Sequence, residues 1–326
     1  MKNIYTLIIF LLMLTVMLVP LTSLPKEHTK TVIPTAAAPK NLETEIPQEE
    51  FTVPQKVRLY DENTKTIKNI AIKDYLFCVV AAECPMSFAD EALKAQIVAA
   101  HTFTLYRIKE NEKNKYDVST NPQTAQAYLT HEEIKKNWGS NYEKYSTRLT
   151  KLIEETYKYV ATYDGEPILA VYHAISAGKT EDCKNVWSKE LPYLKPVDSN
   201  GDKLAANYLS EQKVTKTTAG IKLKELGVTL DILTKGKQTK TASGNVLKIT
   251  YNNKSITGSQ IQKAFDLRSC NFDIAYKNEV FIFTVRGYGH QAGMSQTGAN
   301  YMANDGKNFE DILKHYYKGV IIGEIE

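Results

Sequence analysis

Apolar residues recur at helical spacing on both sides of the Cys84-Pro85 pair. The run YLFCVVAAE at residues 75–83 has the pattern of one helix with a buried face. A residue before proline avoids the α region, so this helix should end at Cys84. Ser87 and Asp90 match the capping-box pattern of a second helix, whose apolar face continues toward Ile108. Glu83 is therefore predicted to lie at a tight corner between two packed helices.

The rest of the chain alternates short strands and helices without a regular βαβ order. Strands are predicted at residues 57–60, 67–72, 168–173, 246–251 and 280–285, and helices at residues 142–160, 258–265 and 293–303. Residues 113–130 are polar and predict a loop. This mixture predicts an α+β fold with two lobes around a substrate cleft. Residues 53–326 would form the folded domain, and residues 203–267 are a possible second lobe.

The N-terminal pattern predicts a membrane anchor followed by a tether. Residues 4–24 carry no charge, and the segment 1–24 is long enough to cross a bilayer. A cleaved signal peptide is the alternative, but the sequence around Leu24 is a poor cleavage site. Residues 25–52 contain four prolines among polar residues and predict an extended linker. Lysines flank the apolar segment on both sides, so they leave its orientation open, and export of the domain is the natural expectation.

Composition narrows the class of protein without identifying it. The chain is 43% hydrophobic and 24% charged, which is ordinary for a globular protein. A net charge of +4, with lysine and glutamate interspersed, argues against nucleic acid as a partner. The four cysteines form no C-x-x-C pair and have no histidine at zinc-like spacing, so we predict free thiols and no metal site. A Cys78–Cys84 disulfide is the alternative.

Glu83 is the strongest candidate for chemistry. Burial beside apolar side chains raises the pKa of a carboxyl group, and the partial negative charge of a helix C-terminus acts in the same direction. Both effects favour a group that holds a proton near neutral pH, as a general acid must. The alternative is an ordinary surface glutamate in a turn between helices.

Two other segments carry polar residues that the fold does not obviously need. One begins at His173 and contains SAGKTE at residues 176–181, and the other is RGYGHQAGMSQTGA at residues 286–299. The glycine-rich run matches neither the dinucleotide fingerprint nor a phosphate loop. Its glycines allow the backbone to approach a ligand closely, so His290, Ser295 and Gln296 are candidate ligand contacts. A structural histidine is the alternative for His290.

Together these segments resemble the stage II sporulation protein D family. The resemblance rests on YLFCVVAAECP at residues 75–85, SAGKTE followed by VW and LPYLK at residues 176–195, and GYGHQAGMSQTGA at residues 287–299. It covers about residue 53 to the end, and the motifs come in the family's order. It implies a membrane-anchored peptidoglycan lytic transglycosylase that cuts peptide-free glycan strands between N-acetylmuramic acid and N-acetylglucosamine during engulfment of the forespore.

The resemblance also implies roles for particular residues. Glu83 matches the family's catalytic acid/base, and Tyr193, Lys195 and Asp202 fall where the family has residues that matter to activity. His101 stands where many members have arginine, so an arginine contact to the glycan is in doubt here. The candidate glycan contacts that lie in or near the motifs are Lys94, Gln96, His101, Tyr163, Ser176, Tyr193, Lys195, Asp202, His290, Ser295 and Gln296.

The chemistry needs to be carried by one carboxyl group, because no second one is marked by the pattern. Glycoside hydrolases usually use two, and Asp198, Asp202 and Glu181 are only possible helpers. Glu83 alone would suffice if it protonated the bridging oxygen and then removed the proton of the C6 hydroxyl to leave a 1,6-anhydro end. No cofactor is expected. The expected partners are glycan strands, a cell-wall amidase and other engulfment membrane proteins, with the domain on the extracytoplasmic side.

A non-enzymatic role is the main alternative. The related amidase-enhancer proteins suggest a glycan-binding module that activates an amidase, in which Glu83 would be merely structural.

Overall fold

Mixed helices and short strands make up the fold, as the pattern predicted. The computed structural model describes residues 54–122 and 124–325, and these have an α+β architecture. The predicted anchor at residues 1–24 and the predicted linker at residues 25–52 lie outside the described residues. Within them, no helix is both long and apolar enough to cross a membrane.

The first part of the chain combines a small sheet with four helices. The strands are β1 (Lys56–Asp61), β2 (Thr66–Ala71) and β3 (Val118–Ser119), and the helices are α1 (Ile72–Glu83), α2 (Asp90–Glu110), α3 (His131–Trp138) and α4 (Tyr142–Thr156). β1 pairs antiparallel with β2 and parallel with β3. Helix α2 is buried from Ala92 to Leu105 apart from Lys94, and it packs against α1 and α4. It is the central helix of this part.

Helix α2 begins differently from the prediction. Its N-cap is Ala89, which makes no side-chain capping bond, so the capping box predicted from Ser87 and Asp90 is wrong. The first turn is supported instead by tertiary contacts. The Ala89 N–H donates to Asn300 Oδ1 (2.9 Å), and Arg148 bonds the carbonyls of Met86 and Phe88.

Short strands and one short helix follow. They are β4 (Tyr159–Tyr163), β5 (Glu166–Pro167), β6 (Tyr172–His173) and α5 (Cys183–Trp187). β4 and β5 form an antiparallel hairpin. A 3₁₀ turn at Asn200–Leu204 then leads out of this part of the chain.

Residues 209–286 pack around a hydrophobic cluster of their own. The elements are β7 (Leu209–Thr215), α6 (Lys216–Glu225), α7 (Asp231–Thr234), β8 (Lys237–Lys240), β9 (Val246–Tyr251), β10 (Lys254–Thr257), α8 (Gly258–Phe265), β11 (Phe272–Lys277) and β12 (Val280–Arg286). They form two three-stranded antiparallel sheets, in the orders β10-β9-β8 and β11-β12-β7. Phe265, Phe281 and Phe283 lie in their shared core. This packing unit extends to β12, beyond residue 267.

The C-terminal segment returns to the first part of the chain. It contains β13 (Met294–Ser295), α9 (Gln296–Asn304), α10 (Phe309–Tyr316) and β14 (Ile321–Glu324). β13 pairs parallel with β6, β14 pairs antiparallel with β4, and α9 and α10 both pack on α2. This return places the glycine-rich segment beside the end of α1, although the two are far apart in sequence.

Candidate functional site

Glu83 is the last residue of α1. Cys84 has an extended backbone (φ −123°, ψ 138°), and its N–H donates to the Val80 carbonyl (3.0 Å), which closes the helix. The following Pro85 explains this conformation, because a residue before proline is pushed out of the α region. The helix end therefore fixes the position from which the Glu83 side chain extends, as the sequence predicted.

The Glu83 side chain reaches a cavity of about 620 Å³. Its wall comes from the end of α1, from Phe103 and Arg107 of α2, from Pro122 and residues 124–127, from the segment that contains β6, from Trp187 of α5 and from the glycine-rich segment after β12. Among the described residues that line the cavity, Glu83 is the only carboxylate. The cavity is therefore a candidate site with a single acidic group.

The carboxylate of Glu83 is held by two donors of unequal strength. Its Oε1 accepts from the Ala127 N–H at 2.7 Å, and its Oε2 accepts from Gln296 Nε2 at 3.4 Å. Burial raises the pKa of Glu83, and these two hydrogen bonds oppose the rise only in part. Oε2 has the weaker contact, so it is the oxygen better placed to exchange a proton with a ligand.

The raised pKa predicts how Glu83→Gln changes stability. A buried carboxyl group whose pKa is higher in the folded than in the unfolded protein destabilises the fold when it ionises. The cost appears as pH rises above the unfolded-state pKa, and it is complete above the folded-state pKa. We expect the Glu83→Gln variant to unfold at a temperature equal to or above that of the wild type at about pH 8. This difference should shrink at about pH 4, which thermal unfolding at both pH values measures.

Glu91→Gln is the matched control for that measurement. Glu91 Oε2 also accepts a backbone N–H at 2.7 Å, from Phe309, but the side chain lies outside the cavity and pairs with Lys94. It should show no gain at alkaline pH. A lower melting temperature of Glu83→Gln at both pH values would contradict the expected cost of ionising Glu83.

Gln126 fixes the loop that supplies the Ala127 N–H. Its Nε2 lies 3.1 Å from Thr104 Oγ1 and 3.4 Å from the Tyr75 hydroxyl, and its Oε1 accepts from the Tyr172 hydroxyl at 2.7 Å. Gln126 is 3% exposed, yet it also borders the cavity. Sequence reasoning missed this residue, because residues 113–130 showed no pattern beyond polarity.

Aromatic rings, among them Trp187, Tyr288 and His290, line part of the cavity wall. Trp187 packs edge-on against His290 (4.8 Å between centroids), and His290 packs in the same way against His173 (5.7 Å). Tyr288 is 50% exposed, and the Arg268 guanidinium lies 4.4 Å from its ring centroid. Exposed aromatic faces in a cavity suit the apolar faces of sugar rings.

The two histidines of this wall are neutral near pH 7. Burial lowers the pKa of His290 to about 4 and that of His173 to about 3. His290 Nδ1 accepts from the Ala292 N–H, whereas His173 Nδ1 lies 3.1 Å from the Ala292 carbonyl and therefore carries the proton. Neither ring supplies a charge that would replace Glu83 in acid–base chemistry.

Ser176, Asp202 and Ser295 meet below the surface, outside the cavity lining. Asp202 Oδ2 accepts from both the N–H (3.0 Å) and the hydroxyl of Ser176, and its Oδ1 accepts from the Ser295 hydroxyl (2.8 Å). All three residues are fully buried. Ser295 also caps α9 by accepting from the Gly298 N–H. The cluster thus fixes the start of the helix on which Gln296 stands.

Gln96 and His101 lie inside the protein. Gln96 is 1% exposed, and its Oε1 lies 3.4 Å from Gln296 Nε2, so it supports the residue that contacts Glu83. His101 is 0% exposed, and its ring lies beside that of Tyr157. Burial lowers the pKa of His101 to about 4. The structure therefore does not bring His101 to the cavity.

Four further candidates, Lys94, Tyr163, Tyr193 and Lys195, do not line the cavity themselves. Lys94 forms ion pairs with Glu91 and Glu155, each at 3.1 Å. The Tyr193 hydroxyl accepts from the Leu169 N–H (3.2 Å), and its ring packs against Tyr163. Lys195 pairs with Glu190 (2.9 Å) and Asp182 (3.5 Å). Of the residues proposed as glycan contacts, His290 and Gln296 line the cavity together with Glu83.

Glu181 is a structural carboxylate. It is 2% exposed and accepts from four donors, which are the Asp182 N–H, Asn185 Nδ2, Thr241 Oγ1 and Asn245 Nδ2. Two of these donors belong to residues 209–286. Glu181 therefore ties that part of the chain to the segment before α5 and is not placed as a second acid at the cavity.

Comparisons with known proteins agree with the motifs. The profile of a family described as "Stage II sporulation protein" matches residues 60–163. The chain is 36% identical over 306 residues to Stage II sporulation protein D of Bacillus subtilis (strain 168), which covers 92% of this chain and 87% of that protein. It is 34% identical to Stage II sporulation protein D of Bacillus amyloliquefaciens, over 84% of this chain and 80% of that protein.

A more distant relative carries a different name. The chain is 28% identical over 303 residues to the amidase enhancer of Bacillus subtilis (strain 168). The match covers 75% of this chain but only 39% of that protein.

Proposed function

Because the chain belongs to the stage II sporulation protein D family, we propose that it is a peptidoglycan lytic transglycosylase of the engulfment stage of sporulation. Its substrate would be peptide-free glycan strands, cut between N-acetylmuramic acid and N-acetylglucosamine. Family membership and the amidase-enhancer relative support the role in engulfment. The reaction itself is inferred from the chemistry of the cavity.

The single carboxylate of the cavity carries this proposal. Hydrolytic glycosidases place two carboxyl groups about 5–9.5 Å apart across the scissile bond, one of them to act on water or on the sugar. Among the described lining residues, Glu83 has no acidic neighbour. A non-hydrolytic cut requires only one such group, because the nucleophile is a hydroxyl of the substrate itself.

The same carboxyl group would act twice. Glu83 in its protonated form gives its proton to the bridging oxygen, and the C1–O bond of the muramic acid breaks. The carboxylate that results then takes the proton of the C6 hydroxyl as O6 bonds to C1 and closes the 1,6-anhydro ring. Glu83 ends protonated again, and no water is consumed. The raised pKa suits the first step, and the Ala127 N–H steadies the carboxylate of the second.

The mass of the products tests this proposal. The full-length chain, solubilised in detergent, is incubated with purified glycan strands from which an amidase has removed the peptides. Anhydro ends, one water lighter than the products of hydrolysis, are expected. Products with the mass of hydrolysis, or intact strands, would contradict it.

An amidase-activating role is the second candidate, favoured by the amidase-enhancer relative. In that case strands bind and stay intact, while the rate of a purified cell-wall amidase rises when the chain is added. The two roles are separated by measuring product masses and amidase rate in the same samples.

The aromatic wall predicts an effect on binding. Tyr288→Ala removes an exposed ring from the cavity, and the loss of one aromatic contact is worth about 0.5–1.5 kcal/mol. Binding of glycan strands is expected to weaken roughly 2- to 10-fold, measured by co-sedimentation or calorimetry. Tyr276→Ala is the matched control, because Tyr276 is 43% exposed and lies outside the cavity. Equal weakening in both variants would contradict a glycan contact at Tyr288.

The proposal extends to location. Residues 1–24 would anchor the chain in the membrane, with the folded domain on the extracytoplasmic side, where an amidase and other engulfment membrane proteins are available as partners. Protease added to intact sporulating cells should leave the domain whole. Protease added after the outer layers are opened should degrade it. Recovery of the full-length chain in the soluble cytoplasmic fraction would contradict this location.

A further inference from the structure

Three potential metal ligands, a carboxylate, a thiol and an imidazole, lie close together where α1 meets the start of α3. Asp74 and Cys78 are one helical turn apart on α1, and His131 is the first residue of α3. One ligand atom from each residue lies within 4.8 Å of the other two. His131 Nε2 is 2.7 Å from Asp74 Oδ1. None of the three residues lines the cavity around Glu83.

Each ligand is held in place before any ion arrives. The four-residue spacing on α1 puts Asp74 and Cys78 on the same helix face. The His131 ring packs against Phe77 with centroids 5.2 Å apart, and the capping box of Thr130 and Glu133 fixes the start of α3. Only small side-chain movements are therefore needed to bring three donor atoms around one ion.

The mixture of donor atoms selects the kind of ion. A thiol sulfur, an imidazole nitrogen and a carboxylate oxygen are all ligands of zinc, which accepts three protein ligands with a fourth position left for water. Sulfur is a poor ligand for Mg²⁺ and Ca²⁺, which prefer sites built of oxygen. The carboxylate and the imidazole are each 49% exposed, so an ion can enter from solvent, while Cys78 lies buried beneath them.

We propose that Asp74, Cys78 and His131 bind one Zn²⁺ ion that fastens α1 to the start of α3. Both segments that the ion would join help to position Glu83. Helix α1 ends at that residue, and the Ala127 N–H that donates to its carboxylate lies four residues before His131. The ion is structural here and takes no part in cleavage. On binding, the Cys78 thiol gives its proton to solvent and the thiolate coordinates the metal.

The sequence did not predict this site. Fifty-three positions separate Cys78 from His131 in the sequence, which is far from the close spacing typical of zinc ligands. The spacing of Asp74 and Cys78, one helical turn apart, is the one local feature of the site. It indicates a metal site only once the fold places His131 of α3 beside it.

Cobalt is the probe for the test. The full-length chain in detergent is freed of metal with a chelator and titrated with Co²⁺. One equivalent is expected to bind and to produce a near-ultraviolet thiolate-to-cobalt band, which Zn²⁺ removes by displacement and Ca²⁺ does not. Cys78→Ser should abolish the band. Cys270→Ser, which removes a thiol outside the cluster, should keep it.

A second variant covers the case in which the buried Cys78→Ser change disturbs folding. His131→Ala alters a half-exposed side chain, and it should weaken Co²⁺ binding at least about 10-fold while far-ultraviolet circular dichroism stays unchanged. Amide hydrogen exchange of residues 124–131 should slow in the wild type when Zn²⁺ is added. No band in the wild type, or binding that His131→Ala leaves unchanged, would overturn the proposal.

Discussion

Glu83→Gln is expected to lower the rate of glycan cleavage by about 10²- to 10⁴-fold. The amide keeps the size and shape of the side chain and can still accept from the Ala127 N–H. It cannot give a proton to the bridging oxygen or remove one from the C6 hydroxyl, so both steps lose their catalyst. Release of anhydro ends from peptide-free strands, followed by mass spectrometry over time, measures the loss.

Binding and folding should survive this change, which separates a catalytic group from a structural one. Glycan strands should co-sediment with the variant about as well as with the wild type, because the aromatic wall is untouched. Glu91→Gln should cleave at a normal rate, since its carboxylate has a similar bond to a backbone N–H but lies away from the cavity. Normal cleavage by Glu83→Gln would remove Glu83 from the mechanism.

The pH profile should follow the same group. Only protonated Glu83 can begin the reaction, so the rate should fall as pH rises through its pKa. Burial raises that pKa, so the fall should occur above the usual range of glutamate.

The corner at Glu83 was predictable because local sequence determines it. A run of apolar residues at helical spacing makes α1, and Pro85 dictates the extended backbone at Cys84 that ends it. The start of α2 was less predictable, since contacts from Asn300 and Arg148 replace the expected capping box. These contacts join residues more than fifty positions apart, so a local sequence pattern cannot predict them.

The site was predictable only in part, because a motif does not tell which of its side chains face outward. Ser295 and Gln296 are neighbours in one motif, yet Ser295 is buried on Asp202 while Gln296 reaches Glu83. The direction of each follows from the start of α9, which is a tertiary feature. Gln126, in contrast, borders the cavity although the sequence did not predict it. It lies in a loop with no pattern, and it matters because Tyr172 and Thr104 fold against it.

Asp202→Ala is expected to destabilise the protein by roughly 3–5 kcal/mol. The carboxylate is fully buried and satisfies the Ser176 N–H, the Ser176 hydroxyl and the Ser295 hydroxyl. Its removal leaves these three donors buried without a partner and loosens the cap of α9. Denaturant unfolding of the wild type and the variant measures the difference in free energy of unfolding.

This result would decide between two roles for Asp202. If it is structural, as its contacts indicate, the activity lost in Asp202→Ala follows the fraction of unfolded protein, and Asp202→Asn loses less because it keeps one acceptor oxygen. Asp198→Ala is the control, since that carboxylate is 74% exposed and should change stability by no more than about 0.5 kcal/mol. An Asp202→Ala variant with normal stability and no cleavage would instead place Asp202 in contact with the glycan. The helix that carries Gln296 would then have to move on binding, because the Asp202 carboxylate is enclosed beneath it.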